Sequence, residues 1–148
     1  MSRVHCTMAA LIVAAWTLLG CQEEKAVQYT PPATLEESGE KGIMKVRLTE
    51  RAAERIGIET VQIREETVTR AGGDVTRKVV PYGAIMYDKK GATWTFTNPE
   101  PLVFVRSPIT VENIDGDRVV LAEGPPAGTA VVMVGAAELM GAEHKYGH

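Results

Sequence analysis

The chain has 148 residues, of which 45% are hydrophobic, 24% charged and 5% aromatic, and its formal net charge is −3. This composition excludes an intrinsically disordered chain, a membrane protein with several spans and a small disulfide scaffold. The acidic excess argues against a nucleic-acid partner, because such proteins need a basic face that displaces counterions from the phosphates.

The first 20 residues have the features of a secretory signal. Met1–Thr7 carries Arg3, and Met8–Gly20 is an almost unbroken apolar run of 13 residues. A helix that crosses a bilayer needs about 20 residues, so this run is too short to span one. A charged start followed by a short apolar run is typical of an exported protein. We therefore predict that residues 1–20 are removed.

The position of Cys21 predicts how the mature chain is held in place. Cys6 lies in the predicted leader, whereas Cys21 directly follows Leu18-Leu19-Gly20. This order resembles the lipobox of bacterial lipoproteins, which implies that Cys21 is lipidated and that the chain is anchored in the cell envelope, facing the periplasm. Two or more acyl chains hold a protein firmly, whereas one binds marginally. The alternative to a lipoprotein signal is a plain secretory signal peptide whose cleavage site happens to precede a cysteine. Gln22, the residue after Cys21, does not decide whether the anchor lies in the inner or the outer membrane.

Residues 21–42 are predicted to be the lipidated cysteine and a flexible tether. Gln22–Gly42 has no apolar period, an excess of acidic side chains and Pro31-Pro32 near its middle. Such a segment cannot bury enough apolar surface to fold by itself. The folded domain is then expected over residues 43–148.

The folded part has a mainly two-residue period, which indicates half-buried strands. The period runs through 44–48, 93–97 and 109–112, and Val131–Val134 is apolar on both faces, as in a central strand. Asp88–Gly91 and Asp115-Gly116 are typical of hairpin turns. The expected fold class is mainly β, a small antiparallel sheet or barrel-like domain.

Two short helical segments are predicted beside these strands. Thr49 is a good N-cap for a helix over Arg51–Arg55, which Gly57 would end. Near the C-terminus, apolar residues at helical spacing predict one helical turn that ends at Gly141. These apolar residues are Ala136, Leu139 and Met140.

Three stretches together resemble one family. They are Leu48–Ile63 (LTERAAERIGIETVQI), Val80–Thr97 (VPYGAIMYDKKGATWTFT) and Val111–Leu139, with its V-x4-G-D-x-V-x-L start and G-T-x-V-V-x-x-G-A end. Their order is similar to that in the periplasmic adaptor, or membrane-fusion, subunits of efflux pumps of the resistance-nodulation-division type. The resemblance covers only the membrane-proximal β domain, where the start and end of an adaptor chain meet.

The adaptor's helical hairpin, lipoyl-like domain and β-barrel have no counterpart here. Arg70–Arg77, which joins the two similar ends, has room only for a turn or short loop. The resemblance implies a lipid-anchored module that contacts a transporter or adaptor subunit. Arg106 and Arg118 are expected to be exposed positions from which such a partner could be cross-linked.

No residue pattern predicts catalysis or a cofactor. The mature chain would have no free thiol, and its serines, Ser38 and Ser107, lack the elbow motif of a nucleophile. The alternative function is a periplasmic metal-binding lipoprotein that uses His144 and His148, with Met140 as a soft ligand. A frayed C-terminus is the simpler expectation for these histidines.

Overall fold

The computed structural model describes the backbone of residues 29–146 and the side chains of residues 29–144. Cys21, His148 and the predicted signal lie outside this range. Within it are eleven strands, two α-helices and one 3₁₀ turn. In chain order these are β1 (Ala33–Glu37), β2 (Met44–Leu48), α1 (Glu50–Ile56), β3 (Glu59–Gln62), β4 (Arg64–Arg70), β5 (Gly73–Pro81), the 3₁₀ turn (Tyr82–Ala84), β6 (Met86–Tyr87), β7 (Thr93–Glu100), β8 (Val103–Pro108), β9 (Thr110–Asp115), β10 (Arg118–Glu123), β11 (Ala130–Val134) and α2 (Ala136–Tyr146).

The strands form two antiparallel sheets, as the two-residue period predicted, and neither sheet closes into a barrel. Sheet A has the order β1-β2-β8-β7-β11-β3, with β6 paired to β7, and sheet B has the order β4-β5-β10-β9. The chain passes between the sheets four times, and at two of these crossings the link is a single buried isoleucine. Ile63 separates β3 from β4, and Ile109 separates β8 from β9.

Two hydrophobic cores cover the two faces of sheet A. The first core lies between sheet A and the two helices; its buried residues are Ala33, Val46, Leu48, Ala52, Phe96, Phe104, Val132, Ala136 and Leu139. The second core joins sheet A to sheet B; its buried residues are Ile63, Val80, Ala84, Ile85, Ile109, Val119, Leu121 and Val131. Adjacent Val131 and Val132 belong to different cores because successive side chains of a strand point to opposite faces. β11 therefore lies inside the sheet, as its continuous apolar run predicted.

The predicted first helix is confirmed, together with both of its caps. The Thr49 side chain accepts a hydrogen bond from the Ala52 N–H, and Gly57 adopts a left-handed conformation with φ 71°. The Gly57 N–H donates to carbonyls of the last turn, as in a helix that ends on glycine.

Both predicted hairpin turns are also present. Asp88 accepts hydrogen bonds from the N–H groups of Lys90 and Ala92 at 2.8 and 2.9 Å. These hydrogen bonds hold the pKa of Asp88 below its usual range, and the bond from Ala92 has the larger effect. The turn after Asp115 uses Gly116 at φ 60°, a conformation that costs glycine least.

The predicted boundary between tether and domain is wrong. Ala33–Glu37, inside the segment expected to be flexible, form β1 and pair in register with Leu48–Met44. Ala33 is buried in the first core and Leu35 packs against it. The acidic residues obscured this strand because they occupy its exposed positions, and one of them, Glu36, pairs with Arg47 at 2.7 Å. Hydrogen bonding to Arg47 lowers the pKa of Glu36.

The predicted end of the last helix is also wrong, because α2 continues through Gly141 to Tyr146. A glycine inside a helix costs about 1 kcal/mol relative to alanine, which packing can offset. Here Ala142 and Glu143, just beyond the glycine, contact the rest of the domain.

The link Arg70–Arg77 is more than a turn or short loop. Only Ala71 and Gly72 form the turn, and the flanking residues extend β4 and β5 into a regular hairpin. β10 pairs with β5 only over Lys78–Pro81, so the outer part of this hairpin has no strand on its β5 side within the described range. Neither helix among residues 29–146 is long and apolar enough to cross a bilayer.

Candidate interaction surface

Sheet B has one face that neither helix covers. The buried apolar residues of α1 and α2 belong to the first core, on the far side of sheet A. The inner face of sheet B supplies Val80, Val119 and Leu121 to the second core. The alternate positions of the same strands form the outer face, which we call the arginine face. It consists of Arg64, Glu66, Arg70, Arg77, Glu112 and Arg118.

Ion pairs connect the strands across the arginine face. Arg118 on β10 donates to Glu66 on β4 at 2.8 Å. Arg77 on β5 donates to Glu112 on β9 at 2.7 Å, and Arg70 at the end of β4 bonds the other oxygen of Glu112. These pairs tie both edge strands of sheet B to its central strands. Arg64 forms no ion pair with any residue in the described range.

A β-bulge places Glu112 between its two arginines. β9 pairs Asn113 with Val120 and Val111 with Leu121, so Glu112 is the extra residue of the bulge. Bulges redirect a side chain from the regular alternation of a strand. The hydrogen bond from Arg77, together with the charge of Arg70, lowers the pKa of Glu112.

The arginine face has an apolar floor. Val79 and Val120 lie side by side on it and are 7% and 1% exposed, although neither belongs to a core cluster. Long arginine and glutamate side chains shield apolar neighbours with their methylene groups while their charged ends stay in water. The ion pairs therefore cover two valines that would otherwise form an exposed apolar strip.

Two clefts flank the base of the β4–β5 hairpin. One, of about 280 Å³, is lined on the outer face by Arg64, Glu66 and Arg118 among others. The other, of about 310 Å³, includes Glu65 and Lys78 in its lining. These volumes lie close to the lower limit of about 300 Å³ for ligand sites, the first just below it and the second just above. Charged groups of both signs line each cleft, which suits contact with a polar protein surface.

A second charged cluster fixes α2 against sheet A. Nε of Arg106 lies 3.1 Å from Oε2 of Glu143, an ion-pair contact in which neither of these two atoms makes a hydrogen bond. The Arg106 Nη2 donates to the Gly42 carbonyl and to Oε1 of Glu143, and the Met44 N–H donates to the same Oε1. The Arg106 guanidinium also lies 4.3 Å from the centre of the Trp94 ring. Such a cation–π contact strengthens when it is withdrawn from water.

The expectation that Arg106 is exposed is therefore wrong. Two spacings in the sequence carried the signal for its real position. Arg106 lies two residues after Phe104, on the strand face that meets the first core. Glu143 lies four residues after Leu139, on the buried face of the last helix. An arginine and a glutamate that both occupy apolar faces predict a buried pair.

The residues of the predicted metal alternative are not brought together in the described range. His144 lies on α2, with Nδ1 2.8 Å from the Met140 carbonyl, and Met140 packs against the first core. Within residues 29–144 no three His, Cys, Asp or Glu side chains form a group that could hold a metal ion. His144 is in a helix, in contrast to the expected frayed terminus, and His148 lies outside the described residues.

No known protein family, curated protein or solved structure matches the chain significantly. What the protein does is therefore inferred from its own residues. Arg118 is the one predicted contact position that lies on the arginine face, where 36% of its side chain is exposed.

Proposed function

We propose that the chain is a non-enzymatic periplasmic lipoprotein, anchored through Cys21, whose β domain contacts a transporter or adaptor subunit in the cell envelope. The observation that carries this proposal is the arginine face, an uncovered, charged sheet face on a domain whose other sheet is covered on both sides. Polar rims rich in arginine are typical of surfaces that bind other proteins. The resemblance of three stretches to the membrane-proximal domain of efflux adaptors supports this class of partner.

The start of β1 at Ala33 shortens the segment that would tether the domain. Cys21–Pro32 has 12 residues, which can span at most about 40 Å. A lipid at Cys21 would then keep the folded unit within a domain diameter or so of the bilayer. A partner of this domain should accordingly present its contact surface close to the membrane.

Site-specific photo-cross-linking tests the proposal. A cross-linker at Asn113, exposed on the same face beside Val120, should capture a transporter or adaptor subunit from membranes solubilised in mild detergent. The same cross-linker at Arg51, exposed on α1, is the matched control and should capture much less. Recovery of no transport component from Asn113, or equal recovery from both positions, would contradict the proposal.

A further inference from the structure

Apart from β6, which has only two residues, the two sheets have four edge strands in the described range. These four differ in how accessible their unpaired backbone groups are. β3 is four residues long and its pairing contains a register shift, and β9 is bulged at Glu112. β1 is five residues long and lies next to α2. β4, by contrast, is seven residues long and pairs with β5 without any register shift. A long, regular edge strand presents unpaired backbone groups to which another strand can add.

The turn of the hairpin determines which groups of β4 are free. Arg70 and Gly73 close a two-residue turn, so they form a hydrogen-bonded pair, and such pairs alternate along the strands. The N–H and C=O groups of Val68 and Glu66 therefore bond β5. Those of Glu65, Thr67 and Thr69 point away from the sheet, and all three residues are exposed.

From this edge we propose that two copies of the chain associate by antiparallel pairing of their β4 strands, centred on Val68. The interface is isologous, so every contact occurs twice, related by a two-fold axis, and only Val68 meets its own counterpart. Thr67 of one copy forms a hydrogen-bonded pair with Thr69 of the other, and the two Val68 side chains meet at the axis. Sheet B becomes one half of a continuous eight-stranded sheet.

Charge complementarity selects this register. With Val68 at the axis, Glu66 of each copy stands opposite Arg70 of the other, and opposite charges at such positions stabilise a strand pair. The alternative centred on Thr67 also satisfies the backbone but places Arg64 opposite Arg70 twice. Like charges directly opposite each other are destabilising, so the β4 sequence is self-complementary about Val68.

The register also extends the ion pairs of the arginine face. Glu66 already receives Arg118, and Arg70 already donates to Glu112. Pairing of Glu66 with Arg70 of the second copy therefore links the two networks into one row of alternating charges. An arginine has five donors, so Arg70 can serve both carboxylates.

The surroundings of the hairpin leave room for the second copy. Antiparallel pairing about Val68 puts the two domains at opposite ends of the paired strands. Ala71 and Gly72, the small residues of the turn, lie opposite Glu65 and Arg64 of the other copy. Beyond Lys78 no strand of the described range pairs with β5, and β4 pairs with no strand of that range other than β5. Anchoring in one membrane would favour the contact by raising the effective concentration, although the pairing itself does not depend on an anchor.

Disulfide cross-linking of the full chain in mild detergent tests the proposal, with Cys6→Ser and Cys21→Ser removing the native thiols. Val68→Cys should form a disulfide dimer on mild oxidation, since the Cα atoms of non-hydrogen-bonded antiparallel pairs are about 4.5 Å apart, within disulfide range. Val75→Cys is the matched control, because Val75 is the half-buried partner of Val68 on β5. In the proposed dimer the Val75 residues of the two copies would lie three strand spacings apart, about 14 Å, which is too far for a disulfide. Equal cross-linking of both variants, or none at Val68→Cys, would overturn the proposal.

A charge exchange tests the register. In the Val68→Cys chain, Glu66→Arg or Arg70→Glu alone places like charges opposite each other at two positions, and each should lower the yield of dimer by about fivefold. An equimolar mixture of the two variant chains restores opposite charges at both positions and should recover the yield. The mixture can recover the yield of dimer only if both variant chains fold. Recovery therefore shows that charge repulsion, and not misfolding, lowered the yield of each variant alone. A mixture no better than the separate chains would contradict the Val68-centred register.

Discussion

Arg106 and Glu143 form an ion pair that is nearly withdrawn from solvent, with 12% and 5% of their side chains exposed. Arg106 comes from β8 and Glu143 from α2, so the pair connects the last helix to the sheet. Each partner has a further polar contact, Arg106 with the Gly42 carbonyl and Glu143 with the Met44 N–H. Removing either one leaves a charge in a site from which water is largely excluded.

We expect Glu143→Ala to lower the free energy of unfolding by about 3 kcal/mol, in the range for breaking a buried ion pair. Urea unfolding of a chain that starts at residue 29 measures this, because Trp94 is then the only tryptophan and lies against Arg106. Glu138→Ala, at an exposed position of the same helix, is the matched control and should change stability by less than about 0.5 kcal/mol.

The double variant Arg106→Met with Glu143→Leu distinguishes packing from charge. Replacing both members of a buried pair with apolar residues removes the cost of desolvating them and is often neutral or stabilising. This variant should recover most of the stability lost in Glu143→Ala. If the double variant is less stable than Glu143→Ala, the geometry of the ion pair contributes more to the free energy of unfolding than its burial predicts.

Much of the fold could be predicted from period and turn chemistry, because these signals are local. Thr49 and Gly57 delimit α1, and Val131–Val134 runs through the centre of sheet A. The errors occurred where a distant contact overrides the local signal. Ala33–Glu37 form a strand because the register with β2 buries Ala33, and polar composition alone cannot reveal a pairing partner.

The arginine face was harder to predict than the strands. The sequence predicts Arg118 as a contact position, but its pairing with Glu66 depends on the order of strands in sheet B. The contacts of Glu112 depend in addition on a bulge, which shifts its side chain out of the two-residue alternation. Neither strand order nor a bulge follows from the spacing of residues along the chain.

Stability should fall in acid because Glu36, Asp88 and Glu112 have lowered pKa values in the folded chain. The unfolded chain then binds more protons than the folded one in the acidic range, so stability rises with pH there. The contribution is fully present above the ordinary carboxylate pKa and is lost as pH falls through the lowered values. Thermal unfolding between pH 7 and pH 3 measures this.

Glu112→Gln should flatten that pH dependence, since it removes one of the three carboxylates whose pKa is lowered. Glu123→Gln, at an exposed position of the same sheet, is the control and should leave the slope nearly unchanged. Added salt should also reduce the slope for the unmodified chain, because these ion pairs are partly exposed to solvent and are screened. If Glu112→Gln leaves the slope of stability against pH unaltered, other carboxylates determine the pH dependence.

Gly135 joins β11 to α2 at a position where a side chain has no room. Its φ is 94°, and an added Cβ would lie 2.5 Å from Cδ1 of Ile58 and 2.7 Å from Cγ2 of Ile56. Gly135→Ala should therefore lower the free energy of unfolding by about 2–4 kcal/mol, through backbone strain and overpacking together. Gly91→Ala isolates the first of these, because Gly91 has φ 82° and open space around it. It should cost about 1–2 kcal/mol, and equal losses in both variants would exclude a packing role for Gly135.

The structural role of β1 can be measured by shortening the chain from its N-terminus. A chain that starts at Pro31 keeps β1 and should be as stable as one that starts at Tyr29. A chain that starts at Gly39 loses the buried Ala33, the contacts of Leu35 with the first core and the backbone bonds to β2. Its free energy of unfolding should fall by about 2–4 kcal/mol, from the lost apolar burial and hydrogen bonds. A flexible tether would make all three chains equally stable, so urea unfolding followed by Trp94 fluorescence distinguishes the two descriptions.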